Sequence, residues 1–373
     1  MAITITKVQS KRELRDFIHF PEQLYKGCEN WVPALYSDEI QTLRKDKNPA
    51  FEYCDADYFL AYKDGILSGR VAAIINNKAN TDWDCKVVRF GWLDFVEDQE
   101  VLDALMASVE KWGKERGCDT VKGPLGFTDM DKEGSLVEGY DKLSSFTCLY
   151  NYPYYDTLLK ANGLVKDADW LQAVVNISPE LPEVLKYADL VEQRFGIRVY
   201  KPKSISELGK RYGKELFQTL NKAFSELYQF TTLTDRQIDA YVKSYISILN
   251  KDFVCVLLDK DDKAVGFAVC VPQLSKAIKK AKGRLFPFGF IHILKALRKN
   301  DCLEALLIGV VPEYQRMGAS VLIFKYLHEN AIKYGIKQMI MNPQLETNLK
   351  VQTMFDAYHP EPYTRRRAYS KKL

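Results

Sequence analysis

The residues best placed to do chemistry lie in one stretch, 306–334. Leu306-Leu307-Ile308-Gly309-Val310-Val311 is an apolar run that reads as a buried strand, and it stops at Pro312. Glu313-Tyr314-Gln315-Arg316-Met317-Gly318-Ala319-Ser320 follows, and then Ile323, Phe324, Leu327, Ala331 and Tyr334 recur with the spacing of one helix face. A strand feeding a glycine turn and then a helix start is a ready anion site. The first helical turn has unpaired N–H groups, the helix dipole favours negative charge there, and glycine lets a ligand approach the backbone.

The elements that must position this stretch occur twice. In the first half, 58–62, the turn Lys63-Asp64-Gly65 and 66–75 read as a hairpin, and 87–95 as a third strand. Leu102, Leu105, Met106, Val109 and Trp112 line one face of a helix that stops at Gly117, before a strand over 120–122. In the second half, 253–258 and 264–271 form the matching hairpin, the later helix stops at Gly335, and a strand follows over 338–341. Equivalent glycines are 197 residues apart at the hairpin (Gly69 and Gly266) and 218 apart at the helix end (Gly117 and Gly335), so the second copy carries a 21-residue insertion. Two tandem copies of one fold are expected, over 1–178 and 179–373, with the inserted segment at 274–299.

The bulk numbers fit this. A chain of 373 residues supports two cores, and a net charge of +4 leaves no strong nucleic-acid footprint. Eight cysteines lie far apart without a C-x-x-C pair, and four histidines are scattered, so no metal site is expected. The first twenty residues lack a signal-peptide core, and the longest apolar run is far shorter than the roughly 20 residues of a spanning helix. A reducing, cytoplasmic protein is the expectation, its oligomeric state unread.

The copies differ in chemistry. Where the second offers Gln315 to Ser320, the first has Asp94, Glu97, Asp98 and Glu100, carboxylates that would complement the dipole themselves and repel a phosphate. The first copy has its own Gly-rich loop, 123–141, readable either as a functional loop or as a buttress for the other domain. Its tyrosine cluster at 150–155 reads as packing between domains, with a substrate pocket as the alternative.

The second-copy stretch resembles the pyrophosphate-binding motif of the GNAT N-acetyltransferase superfamily: a strand ending in Val-x-Pro, then Gln/Arg-x-x-Gly-x-Gly/Ala, with Gln315, Gly318 and Ser320 at the motif positions. The likeness is specific at the turn and helix, loose at Asn348, and architectural in the first copy. It implies a mixed α/β fold in α-β-α layers around a splayed sheet. It also implies acetyl-CoA, or another acyl-CoA, held by Val310, Gln315, Arg316, Met317, Gly318, Ala319, Ser320 and Asn348. Arg316 and Lys350 could add charge to a phosphate. The implied reaction is acyl transfer to an amine on a small molecule or peptide, with the oxyanion on a backbone N–H near Val310. Glu304 is the first candidate base and Glu346 the second. The superfamily pattern Asn-x-x-Ala-x-x-Leu-Tyr falls on Asn348, Val351, Met354 and Phe355. Phe355 cannot donate a proton, so Tyr358, one turn on, is the candidate acid.

The leading expectation is therefore an acyl-CoA-dependent N-acyltransferase with a catalytic second copy. Two alternatives stand beside it: an aminoacyl- or long-acyl-transferase of the same tandem kind, and a non-catalytic acyl-CoA sensor, which the missing hydroxyl at 355 would suit. The insertion holds eight basic residues and no acid around Leu285-Phe286-Pro287-Phe288-Gly289-Phe290. Such a segment can lie on an anionic membrane or attract an acidic substrate. Because Pro287 and Gly289 break any long helix, the preferred reading is two helices whose apolar side covers a pocket, with the lysines in water.

Overall fold

A computed structural model describes residues 2–373, apart from the side chains of Ser247 and Lys350. In chain order the strands are β1 (Ile3–Lys7), β2 (Cys54–Lys63), β3 (Ile66–Asn76), β4 (Val87–Phe95), β5 (Thr120–Gly123), β6 (Ser135–Glu138) and β7 (Val165–Asn176). They continue with β8 (Arg198–Val199), β9 (Val254–Leu258), β10 (Ala264–Pro272), β11 (Cys302–Val310), β12 (Gln338–Ile340), β13 (Gln344–Leu345) and β14 (Glu361–Lys372). Chain contacts divide the protein into two compact units. One is Met1–Leu171 with Ser275–His292 and Thr364–Leu373; the other is Gln172–Leu274 with Ile293–Tyr363.

In the first unit the strand order is β1-β2-β3-β4-β5-β14. The β2–β3 loop holds Asp64 and Gly65 at φ 50° and 81°, the left-handed pair a two-residue hairpin needs. Alternation along the strands then separates two faces. Phe59, Ala61, Val71 and Ala73 pack with Leu102, Leu105 and Val109 of the helix Gln99–Lys114. Tyr58, Leu60, Ala72 and Ile74 pack with Phe17 and Ile18 of the helix Lys11–Leu24. That helix opens with a capping box between Ser10 and Glu13 and runs through Pro21. Burial of Phe17, Ile18, Phe20 and Pro21 holds the last turn although the proline has no N–H to donate. Tyr154 and Tyr155 pack on Phe95 inside this unit, so for these two residues the expectation of packing between domains is not met.

Asp94 also departs from expectation. It does not face a helix start; it is 7 % exposed on β4 and accepts from Arg70 Nε at 2.9 Å, Arg70 Nη2 at 2.7 Å and the Tyr25 hydroxyl at 2.7 Å.

The second unit repeats the pattern, β8-β9-β10-β11-β12. Gly266 pairs with Val310 at the end of β11 as Gly69 pairs with Phe95 at the end of β4. Both crossover helices are followed by a left-handed glycine, Gly117 at φ 78° and Gly335 at φ 70°. Each crossover returns to a parallel strand over three residue pairs, β4–β5 and β11–β12. The helix Ser320–Lys333 covers one face through Leu322, Ile323 and Leu327 against Cys255, Leu257 and Val310. The helix Ile205–Ala223 lies on the other, where a Cβ on Gly309 would come within 3.2 Å of Ala223. Each unit is thus a helix–sheet–helix sandwich around a mixed sheet.

The fifth strand of each repeat takes its next partner from the other half of the sequence. β5 pairs antiparallel with Tyr369 to Lys372 of β14, and β12 pairs antiparallel with Val174 to Asn176 of β7. β14 is rich in arginine, yet Arg366, Ala368 and Tyr369 are buried, and Arg365 and Arg367 donate to the fully buried Asp169.

Removing one member of a buried ion pair leaves the other charge without compensation. Asp94→Ala is therefore expected to cost about 3–5 kcal/mol through Arg70, read as a lower urea midpoint, whereas Asp98→Ala on the surface should cost about 1 kcal/mol.

Candidate active site

The site is built on an opening in the sheet of the second unit. β10 stays beside β11 from Leu303 to Val310, whereas β12 accompanies it only from Cys302 to Glu304. Among the described residues no strand takes over the abandoned edge. The register also slips here: Val269 pairs with Leu307 and Cys270 with Ala305, so Leu306 is an extra residue. Such a bulge sharpens the local twist and re-aims the strand. Ala305 to Ile308 are only half-buried, unusual for a strand in the middle of a sheet, and consistent with a cleft along that edge.

At the end of β11 the Val311 N–H donates to the Val265 carbonyl at 2.9 Å. Strand alternation then turns the N–H and C=O of Val310 to the opposite edge, the open one. The Val310 carbonyl is taken by Gln315 Nε2 at 2.7 Å. Gln315 therefore ties the turn to the strand end with its side chain.

Gly318 holds φ 74° in the turn, and a side chain there would be strained. The N–H groups of Gln315, Met317, Gly318 and Ala319 bond to the carbonyls of Val311, Tyr314, Gln315 and Tyr314, and those of Val321 and Leu322 bond to Gly318 and Ala319. A phosphate arriving here would meet the half-buried Ser320 and the exposed Arg316 first, and would compete with short turn bonds for the rest. The helix Ser320–Lys333 has Ala319 at its N-cap, no side-chain cap and no acid in its first turn. Its dipole end is not neutralised by an acid of its own first turn.

The first unit closes both features. Asp98 caps its helix, accepting from the N–H groups of Glu100 and Val101, and Lys63 bonds both Asp98 and Glu100. Beyond the last β4–β5 pair the chain turns back across the strands, with the Leu125 N–H donating to the Phe90 carbonyl at 2.9 Å. The Leu125 carbonyl lies 2.5 Å from where a Cβ on Gly91 would sit. An extended ligand arm has no room on that edge.

Glu304, the candidate base, is 2 % exposed and is the last residue of β11 to pair with β12, opposite Ile340, so its backbone stands at the mouth of the opening. Met317 is half-buried against the second unit's core, and Ala319 is fully buried in it. Asn348 precedes the short helix Leu349–Thr353 without capping it by its side chain. The Lys350 side chain lies outside the described residues. Phe355 is buried edge-on to Phe324, with ring centroids 4.7 Å apart. Tyr358 sits in the same core beside Phe324 and His328, lining a small cavity of about 10 Å³ with Leu303, Leu327 and Met339. Burial pushes its phenol well above the usual range. The structure brings Glu304, Val310 and the 315–320 turn onto one strand–turn–helix; it puts Tyr358 in the packing beneath the helix. Sequence reasoning missed the bulge at Leu306 and the clamp from Gln315, because an unbroken apolar run carries no sign of an extra residue.

Among the described residues no group of three or more His, Cys, Asp or Glu is placed to hold a metal, and the eight cysteines are free.

No family model matches the chain. Its fold is that of the GNAT N-acetyltransferases, present twice. A tandem GNAT protein from the clavulanic acid biosynthesis pathway superposes with a TM-score of 0.58 at 11% identity, covering 100% of this chain and 98% of its own. In sequence the chain is 28% identical to Protein YghO of Escherichia coli K12 over 375 residues, 98% of this chain and 94% of that protein. It is also 24% identical to a bacterial ceramide synthase of Caulobacter vibrioides over 381 residues, 100% of this chain and 98% of that one.

A ligand bound to the native state raises the melting temperature. An acyl-CoA should stabilise the wild-type protein and should leave Gly318→Glu unshifted in a thermal-unfolding assay. Asp98→Ala in the first unit should keep the full ligand-induced shift.

Proposed function

We propose that the protein is an acyl-CoA-dependent N-acyltransferase, with the acyl donor held in the second unit, a long acyl chain, and an amine-bearing lipid as acceptor. The observation that carries the reaction class is the opening of β11 from β12 directly ahead of an uncapped, acid-free helix start. The same places in the first unit are bridged and capped, which supports a single donor site. The choice of substrate leans on the full-length likeness to a bacterial ceramide synthase. A ceramide is the fatty amide of a long-chain amino alcohol, the product class this reaction would give. An acetyl donor, which the family resemblance alone suggests, is the simpler alternative.

The bound thioester supplies an activated acyl carbonyl and a thiolate leaving group. Glu304 takes the proton of the acceptor ammonium, freeing the nitrogen lone pair for attack on that carbonyl. The Val310 N–H, on the open edge, donates to the oxygen that becomes negative as the tetrahedral intermediate forms. The adduct's nitrogen, cationic after attack, gives its second proton to solvent as the C–S bond breaks and the amide forms. The departing thiolate takes up a proton from solvent or from Glu304. Tyr358 is a poor source for that proton, since its ring is locked in the core. Arg316 and Ser320 meet the phosphates, and Gln315 holds the turn in register with the strand.

Release of free thiol from palmitoyl-CoA in the presence of a long-chain amino alcohol tests this directly. Glu304→Gln should lower kcat by about 10²–10⁴ while keeping the acyl-CoA-induced thermal shift. Tyr358→Phe should leave kcat within a few-fold. Thiol release from acetyl-CoA but not from palmitoyl-CoA would refute the long-chain reading. Binding without turnover across a broad amine panel would make the protein an acyl-CoA sensor, the reading that Phe355 favours.

A further inference from the structure

The inserted segment folds as the two short helices expected, Ser275–Lys280 and Gly289–Arg298, but its apolar side does not cover a pocket. Phe286 is 80 % exposed and Phe288 71 %, and no residue of the helix Gly289–Arg298 is buried. Phe290 and Ile291 extend the apolar surface into that helix. The Phe286 and Phe290 rings lie 6.1 Å apart, so the tip and the helix share one patch. Soluble proteins seldom leave such a cluster in water without a use for it.

The base of the segment is firmly built. Ala277, Ile278 and Ala281 are buried. The Gly283 carbonyl accepts from the Tyr36 N–H at 3.0 Å, and Gly283 holds φ 69° where a Cβ would come within 2.4 Å of the Ala34 carbonyl oxygen. Lys279 Nζ donates to the carbonyls of Cys28 and Glu29. Arg284 pairs with Glu22 at 2.9 Å and lies over the Tyr36 ring. Those two cations serve the mounting. Lys280 and Lys282 are exposed beside the apolar tip in sequence, in a segment with no acidic residue.

We propose that this tip docks the protein onto an anionic lipid surface, with Phe286, Phe288, Phe290 and Ile291 entering the headgroup–acyl boundary and the basic residues resting on the headgroups. The charge complementarity names the surface: each basic residue near an anionic bilayer is worth roughly five-fold in partitioning. The apolar side chains name the depth. A helix of ten residues is about 15 Å long and cannot span a bilayer, but lying in the interface it can bury its apolar face by about 5–10 Å. No helix among the described residues is long and apolar enough to cross a membrane. A single-stranded nucleic acid also attracts cations and aromatic rings, but Ile291 gains nothing from stacking on bases, whereas it gains from an acyl layer. The proposal rests on this surface alone and stands whether or not the acceptor is a lipid.

The test is co-sedimentation of the full-length protein with phosphatidylcholine vesicles and with phosphatidylcholine–phosphatidylglycerol vesicles. Wild type should partition onto the anionic vesicles and about ten-fold less onto the zwitterionic ones. Phe286→Ser/Phe288→Ser and Lys280→Glu/Lys282→Glu should each lower partitioning about ten-fold or more, with melting temperatures unchanged because the altered side chains are exposed. Phe286→Trp should give a fluorescence blue shift on addition of anionic vesicles. Equal partitioning of wild type and the double serine variant would overturn the proposal, as would no sedimentation of wild type with anionic vesicles. A patch-dependent dimer, or a patch-dependent oligonucleotide complex, in the absence of vesicle binding would overturn it too.

Discussion

The second unit turns on one constraint: β11 cannot satisfy both of its edges along its whole length. Its parallel partner leaves after the Glu304–Ile340 pair, and the extra residue at Leu306 twists the strand away while β10 follows it to Val310. A strand edge left unpaired inside a sandwich is costly unless something else bonds to it. Gln315 takes one of the freed carbonyls, at Val310. The remaining groups are what an extended, amide-bearing ligand arm would use. The turn, the open helix start and the buried carboxylate of Glu304 acquire a chemical meaning only because this opening exists.

The two repeats show how little change separates an open strand edge from a filled one. Both keep the hairpin, the crossover helix, its left-handed terminal glycine and three parallel residue pairs. In the first, Asp98 and Glu100 occupy the helix start with Lys63 between them, and Leu125 folds back onto Phe90. Arg89 and Glu304 hold the same place, the last paired residue of the central strand, and both are 2 % exposed. A buried arginine holds a carbonyl of the loop that fills the first opening, at Gly126, where the second copy has a buried glutamate.

Much of this was legible in the residues. Alternation placed both hairpins, the glycine stops placed both crossover helices, and the contrast between 94–100 and 315–320 separated an acidic copy from an open one. What stayed hidden depends on contacts distant in sequence. The exchange of β7 and β14 leaves no local trace, and the partner of Arg365 and Arg367, Asp169, lies 196 and 198 residues from them in sequence. Asp94 read as a dipole partner because its buried ally, Arg70, lies on another strand. The insertion read as a cover because an apolar stretch normally packs inward; the structure turns its phenylalanines outward.

Amide hydrogen exchange with and without palmitoyl-CoA tests the central claim most directly, since it reports on the opened edge itself. The account predicts slowed exchange at Ala305 to Val310 and at Ser320, with no change at Phe90 to Phe95 or at Asp98 to Val101. Protection in the first unit, or none along β11, would contradict it.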